Sequence, residues 1–267
     1  MIARRKRVVE YTHVSKSGGT TLCQLARLNG CRTESFKIEN NCLIKDFHDT
    51  IRHPHTRAVS HIKHVWSGYA RRCGIEGRDV YFPPDARDAA HWLALMPAPL
   101  NNYLIRSLLG EAVFNLPAGE IRREHLDTAR TLIAQQYDVL LVLEDAELSA
   151  RVMHYGLGWT HDLRELHAND QTDGPDDDGV PSDVDNLWPY NALDLELYKF
   201  GMTLAKLDAV LYDVVHAAAK ALWPVSGEMA GAGMMAAAAI ADQHQSPVNP
   251  GPQTRLGAVG DATGGPY

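Results

Sequence analysis

The first apolar run, Arg7–His13, mixes β-branched and aromatic residues and predicts a strand that ends at a Gly-containing turn. Past the turn the period changes: Leu22, Leu25, Ala26 and Leu28 recur at helical spacing, so Thr20–Asn29 reads as a helix with Gly30 at its stop. Short strands are expected around Ser35–Ile38 and Cys42–Lys45. Pro54 opens a helix running to about Tyr69, a position where its missing N–H would be unpaired anyway. Asp85–Met96 and Leu100–Leu109 read as helices broken apart by Pro97 and Pro99, and Arg122–Gln136 as a further helix. Tyr137–Leu143 is a short continuous apolar run, the pattern of a buried parallel strand. Glu147–Tyr155 returns to helix, and Gly156 and Gly158 end it. Asn191–Leu222 predicts a long helix with Asn191 as N-cap and Asp194 in its first turn. Its buried face is supplied by Leu193, Leu197, Phe200, Leu204, Leu207, Val210 and Leu211. Strands alternating with helices predict an α/β fold, three layers with a parallel sheet flanked by helices.

Composition refines the boundaries. The length of 267 residues, 45% of them apolar, suits one globular α/β domain with a substantial core. From Ser226 the chain turns to Ala, Gly, Met and Pro, which divides it into a domain over 1–225 and a low-complexity tail over 226–267. In that tail Met229–Ala241 has weak helical character and Gln243–Tyr267 is expected to be disordered. Asn169–Asp185 reads as an acidic solvated loop, with a calcium site as its weaker alternative. No stretch has the length of a membrane span or the pattern of a signal peptide, so the chain as given reads as soluble. Cys23, Cys31, Cys42 and Cys73 form no CxxC pair, which argues against a zinc site; free thiols are expected, with a luminal disulfide as the alternative.

The net charge of −7 hides an asymmetry. Residues 1–73 carry 14 Lys and Arg against 5 Asp and Glu, whereas the remainder carries 12 against 28. A basic segment inside an acidic chain points to a locally held anion rather than a nucleic-acid surface. The most informative run lies in that segment: Val14-Ser15-Lys16-Ser17-Gly18-Gly19-Thr20-Thr21-Leu22. Glycines let a backbone approach a ligand closely, and the following helix start offers unpaired N–H groups and a positive dipole end. Lys16 adds a charge, and Thr20 and Thr21 add hydroxyls. The run is not a Walker A loop, which places its lysine after the second glycine; Lys16 precedes both.

The order Lys-Ser-Gly-Gly-Thr-Thr resembles the 5′-phosphosulfate loop of sulfotransferases that use 3′-phosphoadenosine-5′-phosphosulfate, in particular the Golgi carbohydrate, heparan sulfate 2-O-sulfotransferase-like type with its Pro-Lys-Thr-Gly-Gly-Thr pattern. Ser15 and Ser17 stand where that pattern has Pro and Thr. Arg52-His53-Pro54-His55-Thr56-Arg57-Ala58-Val59-Ser60 is similar to the family's 3′-phosphate element, in which Arg52 and Ser60 would converge on one phosphate. Weaker similarities run through Asn101–Gly110, Leu141–Asp145 and Asn191–Tyr198, so the resemblance spans about residues 8–215.

The resemblance implies a P-loop-like fold and a metal-free transfer of the sulfo group from the nucleotide co-substrate to a hydroxyl of a carbohydrate or glycan acceptor. Ser15, Lys16, Ser17, Gly18, Gly19, Thr20, Thr21, Arg52 and Ser60 would hold the nucleotide. Lys16 would also stabilise charge on the leaving oxygen, and His48 is the first candidate base, ahead of His13 and of Glu144 and Asp145 after the late strand. His53, His55, His61 and His64 raise a metal site as a lesser alternative. A Golgi lumen location follows if the chain is a piece of a membrane-anchored precursor.

One departure stands out. Only 34 positions separate Gly18 from Arg52, and Lys45–Ile51 is a poor buried strand, which implies a missing segment and a sheet lacking one strand. A truncated, non-catalytic homologue and an atypical P-loop phosphotransferase are therefore the alternatives.

Overall fold

A computed structural model of the chain describes residues 17, 19–31, 49–83, 87–165 and 179–222. The chain divides into two units, Met1–Val214 and Val215–Tyr267. Of the second, only residues 215–222 are described. In order, the elements are α1 (Gly19–Leu28), β1 (Asp49–Ile51), α2 (Pro54–Tyr81), α3 (Ala89–Leu95), α4 (Pro97–Leu100), α5 (Tyr103–Leu109), α6 (Glu111–Phe114), α7 (Arg123–Gln136), β2 (Leu140–Val142), α8 (Ala146–Val152) and α9 (Ala192–Leu222). A π-turn, Met153–Leu157, continues α8, and 3-10 turns at Val184–Leu187 and Pro189–Asn191 lead into α9.

This architecture overturns the expected three-layer α/β, P-loop-like fold. The described chain is mostly helical, and its only sheet is the parallel pair β1–β2, in register Asp49↔Leu140, Thr50↔Leu141 and Ile51↔Val142. A layered parallel sheet needs several strands that are apolar on both faces. Among the described residues Leu140–Val142 is buried at every position, and Ile51 of β1 joins the same core. The apolar run from Tyr137 shortens to three residues of strand. The stretch before Arg52, read as too polar for a strand, does pair at its last three residues. The strands expected over Arg7–His13, Ser35–Ile38 and Cys42–Lys45 lie outside the described residues, as do 169–178 of the acidic loop and the tail from 223 onward.

The strand pair is buried by helices. Leu22, Leu25 and Ala26 of α1, Leu126, Ala129 and Ile133 of α7, and Leu197, Ala205 and Ala209 of α9 form one core with Ile51 and Leu140–Val142. At Gly201 an added Cβ would stand 2.7 Å from Ile51 Cδ1 and 3.0 Å from Leu140 Cδ2, so α9 lies against the ladder at its one residue without a side chain. Helix α9 does not bury its whole predicted stripe: Leu207, Val210 and Leu211 are exposed.

A second core gathers Ala58, Ile62 and Trp66 of α2 with Phe82, Trp92, Leu100 and Leu187. The Phe82 and Trp92 rings lie 4.4 Å apart, and the Arg78 guanidinium sits 3.9 Å from the Trp66 ring centre. Helix α2 continues well beyond Tyr69, but Gly74, at φ 72°, breaks it into two helical pieces; this is a backbone state that glycine adopts without a Cβ penalty. Cys31 and Cys73 are free thiols, whereas Cys23 is disulfide-bonded, which corrects the expectation of free thiols throughout.

Candidate anion-binding site

The carboxyl ends of β1 and β2 bring two charged residues together. β1 runs directly into Arg52, the residue before the N-cap of α2; β2 runs through Leu143 into Glu144. The ladder fixes this juxtaposition, because Leu143 donates its N–H to Ile51 O at 3.0 Å. Arg52 Nε then stands 3.7 Å from Glu144 Oε1. Glu144 Oε1 also accepts from the backbone N–H of His53 at 3.0 Å and from Thr56 Oγ1 at 2.9 Å. Its other oxygen accepts from the Tyr198 hydroxyl of α9 at 3.3 Å. Arg52 Nε donates to Thr56 Oγ1 at 3.2 Å, which completes a ring of contacts around one carboxylate oxygen.

The electrostatics follow from partial burial. Burial pushes the Arg52 guanidinium below its ordinary value, and the Glu144 charge opposes that shift. Burial first, then the Glu144 charge and hydrogen bond, hold the Tyr198 hydroxyl well above the usual tyrosine range. His55 is pushed down by burial and by His53, with Asp185 acting the other way. Its ring stacks on Trp188 at 4.0 Å.

The sequence-predicted residues divide by location. Ser60 lies in α2 one turn beyond Thr56 on the same face, and both lie one and two turns on from Arg52. Ser17 is fully buried, and its hydroxyl has no hydrogen-bond partner. Gly19 opens α1, with Thr20 half-buried and Thr21 buried behind it. Leu22 and Leu25 of α1 share a core with Ile51, so the two candidate anion elements rest on one scaffold. Ser15, Lys16, Gly18, His13 and His48 lie outside the described residues.

Asp145 takes its bland role, capping α8 by accepting from the Leu148 N–H at 3.0 Å. Among the described residues, no cluster of three or more His, Cys, Asp or Glu could hold a metal. Thr56 and Tyr198 escaped the sequence reading. The spacing of Thr56 four residues after Arg52 was a usable signal; nothing local marks Tyr198.

A second polar cluster is structural. Asn102, at φ 47°, starts α5 in the left-handed region that asparagine tolerates. Its side-chain oxygen accepts from the Asp194 N–H, and its own N–H donates to Asn191 Oδ1. The Asp194 carboxylate in turn accepts from Leu104 N–H at 2.7 Å and Ile105 N–H at 3.0 Å, supplying the cap that α5 lacks. Asn191, expected to cap α9, instead donates across to Leu100 O. Arg106 is wholly buried, with its nitrogens donating to both oxygens of Asn101 and to the carbonyls of Val113, Phe114, Leu116 and Pro117. The Asn101–Gly110 stretch, read as a similarity to an enzyme family, thus acts here as a buried polar lock.

Comparison of the chain with protein-family models, curated proteins and solved structures gave no match.

Proposed function

We propose that the chain is a sulfotransferase that uses 3′-phosphoadenosine-5′-phosphosulfate and transfers its sulfo group to a hydroxyl of a carbohydrate, in the Golgi lumen. The observation that carries this reading is Arg52 at the junction of β1 and α2, with Thr56 and Ser60 following it along one helix face. A guanidinium, two hydroxyls and the N–H groups of a helix start are the donors a terminal phosphate requires. The sulfonucleotide order Lys16-Ser17-Gly18-Gly19-Thr20-Thr21 supports the 5′ end of the same ligand. The buried Ser17 hydroxyl, left without a partner, fits a loop that gains one on binding.

In the reaction, the acceptor oxygen bonds to sulfur and the bond from sulfur to the 5′-phosphate oxygen breaks. Adenosine 3′,5′-bisphosphate leaves, and the acceptor proton passes to a base, for which His48 is the candidate. Lys16 would offset the charge growing on the departing oxygen. No described helix is long and apolar enough to cross a membrane, which leaves the Golgi assignment on the resemblance alone.

A second reading, a nucleotide-binding homologue without transferase activity, is favoured by the small strand pair and by the carboxylate already seated at Arg52. Calorimetric titration with adenosine 3′,5′-bisphosphate and an assay of sulfo transfer separate the two. The leading reading expects micromolar binding, an affinity of about −8 kcal/mol, lost in Lys16→Ala and Arg52→Ala, together with turnover. Binding without turnover on any glycan selects the second reading. Binding of ATP with magnesium in place of the bisphosphate would sink both.

A further inference from the structure

We infer that Cys23 is joined to Cys42, so that one disulfide fastens the helix behind the glycine loop to the segment that leads into β1 and Arg52.

The partner follows by elimination. The chain holds four cysteines, Cys23, Cys31, Cys42 and Cys73. Cys23 is disulfide-bonded, while Cys31 and Cys73 are free thiols. Within one chain that leaves Cys42, which itself lies outside the described residues.

The two free thiols are also poor rivals for the bond. Cys73 is exposed in α2 beside the Gly74 kink, whereas Cys23 is 3% exposed inside the core. Cys31 is the nearest cysteine to Cys23 in sequence, but burial pushes its thiol up and so lowers its thiolate fraction. Exchange between thiols and disulfides runs through the thiolate, which makes Cys31 slow to capture either sulfur.

The placement gives the bond its role. Cys23 lies one turn into α1, four residues beyond Gly19, and its neighbours Leu22 and Leu25 pack in one core with Ile51. Cys42 stands seven residues before Asp49, where β1 begins and runs on to Arg52. β1 has three residues and, among the described residues, pairs with β2 alone, so its ladder holds it weakly. A link from Cys23 to Cys42 closes a loop of 20 residues and removes closure entropy from the unfolded chain, which favours β1 in place beside α1.

The buried Cys23 sulfur is out of reach of external thiols, so the bond is a structural one rather than a switch. Such bonds persist in oxidising compartments and are rare where thiols are kept reduced. The Cys23 bond therefore adds a covalent observation to a luminal assignment that otherwise stands on the resemblance. Its effect on nucleotide binding rests on the sulfotransferase reading of the glycine loop and Arg52; its existence does not.

Trypsin places the four cysteines on four different peptides, 17–27, 28–32, 38–45 and 73–78. The test alkylates the full wild-type chain without reduction, digests it and maps the peptides by mass spectrometry. The expected map carries label on Cys31 and Cys73 and shows 17–27 joined to 38–45 as one species that separates on reduction. Label on Cys23, or 17–27 joined to any other peptide or to a second copy of itself, overturns the inference. Cys42→Ser should lower the thermal unfolding midpoint by about 5–10 °C, and a midpoint that does not move overturns the fastening role. Should that variant not fold, the map of the wild-type chain decides. A chain with the linked pair that takes up no adenosine 3′,5′-bisphosphate keeps the disulfide and sinks the sulfotransferase reading. Bisphosphate binding by a chain in which Cys23 takes the label keeps that reading and sinks the disulfide.

Discussion

Arg106 and Arg52 are both arginines held by oxygen acceptors, yet they are held in opposite ways. Arg106 is wholly buried and fully employed, its donors spent on Asn101 and on the backbone carbonyls of Val113, Phe114, Leu116 and Pro117. Arg52 is a quarter exposed and faces a carboxylate at 3.7 Å and a hydroxyl at 3.2 Å, both on side chains that can rotate away. Acceptors fixed in the backbone make a lock, and acceptors on mobile, half-exposed side chains make a seat. Buried polar groups cost most when a partner is removed, whereas exposed ion pairs contribute little to stability.

The largest effect is therefore expected from the lock. Arg106→Met takes the guanidinium donors from the Asn101, Phe114 and Leu116 carbonyls and should cost about 3–5 kcal/mol, or abolish folding, in urea unfolding. A cost under about 1 kcal/mol would erase the distinction between the two arginines. Next comes Asn102→Ala, which puts at φ 47° a residue without the polar side chain that lets asparagine tolerate that region, and removes the acceptor for the Asp194 N–H. It should cost about 2–3 kcal/mol by the same measurement. Asn102→Gly, which relieves the strain but not the lost bond, should recover about 1 kcal/mol of that.

The lock also carries a pH signature. Burial pushes the Asp194 carboxyl up to about 6, against the opposing pull of the Ile105 and Leu104 N–H groups and of Arg57 and Arg106. A carboxyl raised above its ordinary value of about 4 favours the fold in its protonated form. Its contribution is complete below about pH 4 and fades as pH rises through about 6. Relative to Asp194→Asn, the wild-type chain should lose stability between pH 4 and 7 in paired urea titrations. A gain over that interval would show that the ionised carboxylate is what the start of α5 holds.

How much of this was legible in the sequence depends on the range of each interaction. Helix α7 was readable to within a residue, because apolar spacing and capping are local properties. The proline start of α2 was equally plain, but its length was not: the helix expected to end at about Tyr69 runs to Tyr81 across a kink at Gly74. The fold class failed because the alternation of short apolar runs counts candidate strands without saying which of them pair. Among the described residues one strand of three, Leu140–Val142, pairs with Asp49–Ile51 alone. The Arg52 element was visible as spacing, and Glu144 was visible as a charged residue after a strand. Their contact was not, since it depends on the parallel register of two strands far apart in the chain. Asn101 and Arg106 looked like family motif residues because polar groups within an apolar stretch draw the eye whether they bind a ligand or a neighbouring backbone.

The smallest structural effect and the largest functional one should coincide at Arg52. The decisive measurement is a paired one on Arg52→Ala: its unfolding free energy and its titration with adenosine 3′,5′-bisphosphate, each beside the wild-type chain. The predicted result is a stability change within about 1 kcal/mol together with loss of a micromolar affinity. A variant that unfolds as Arg106→Met does, or a wild-type chain that takes up no bisphosphate at all, would contradict the account.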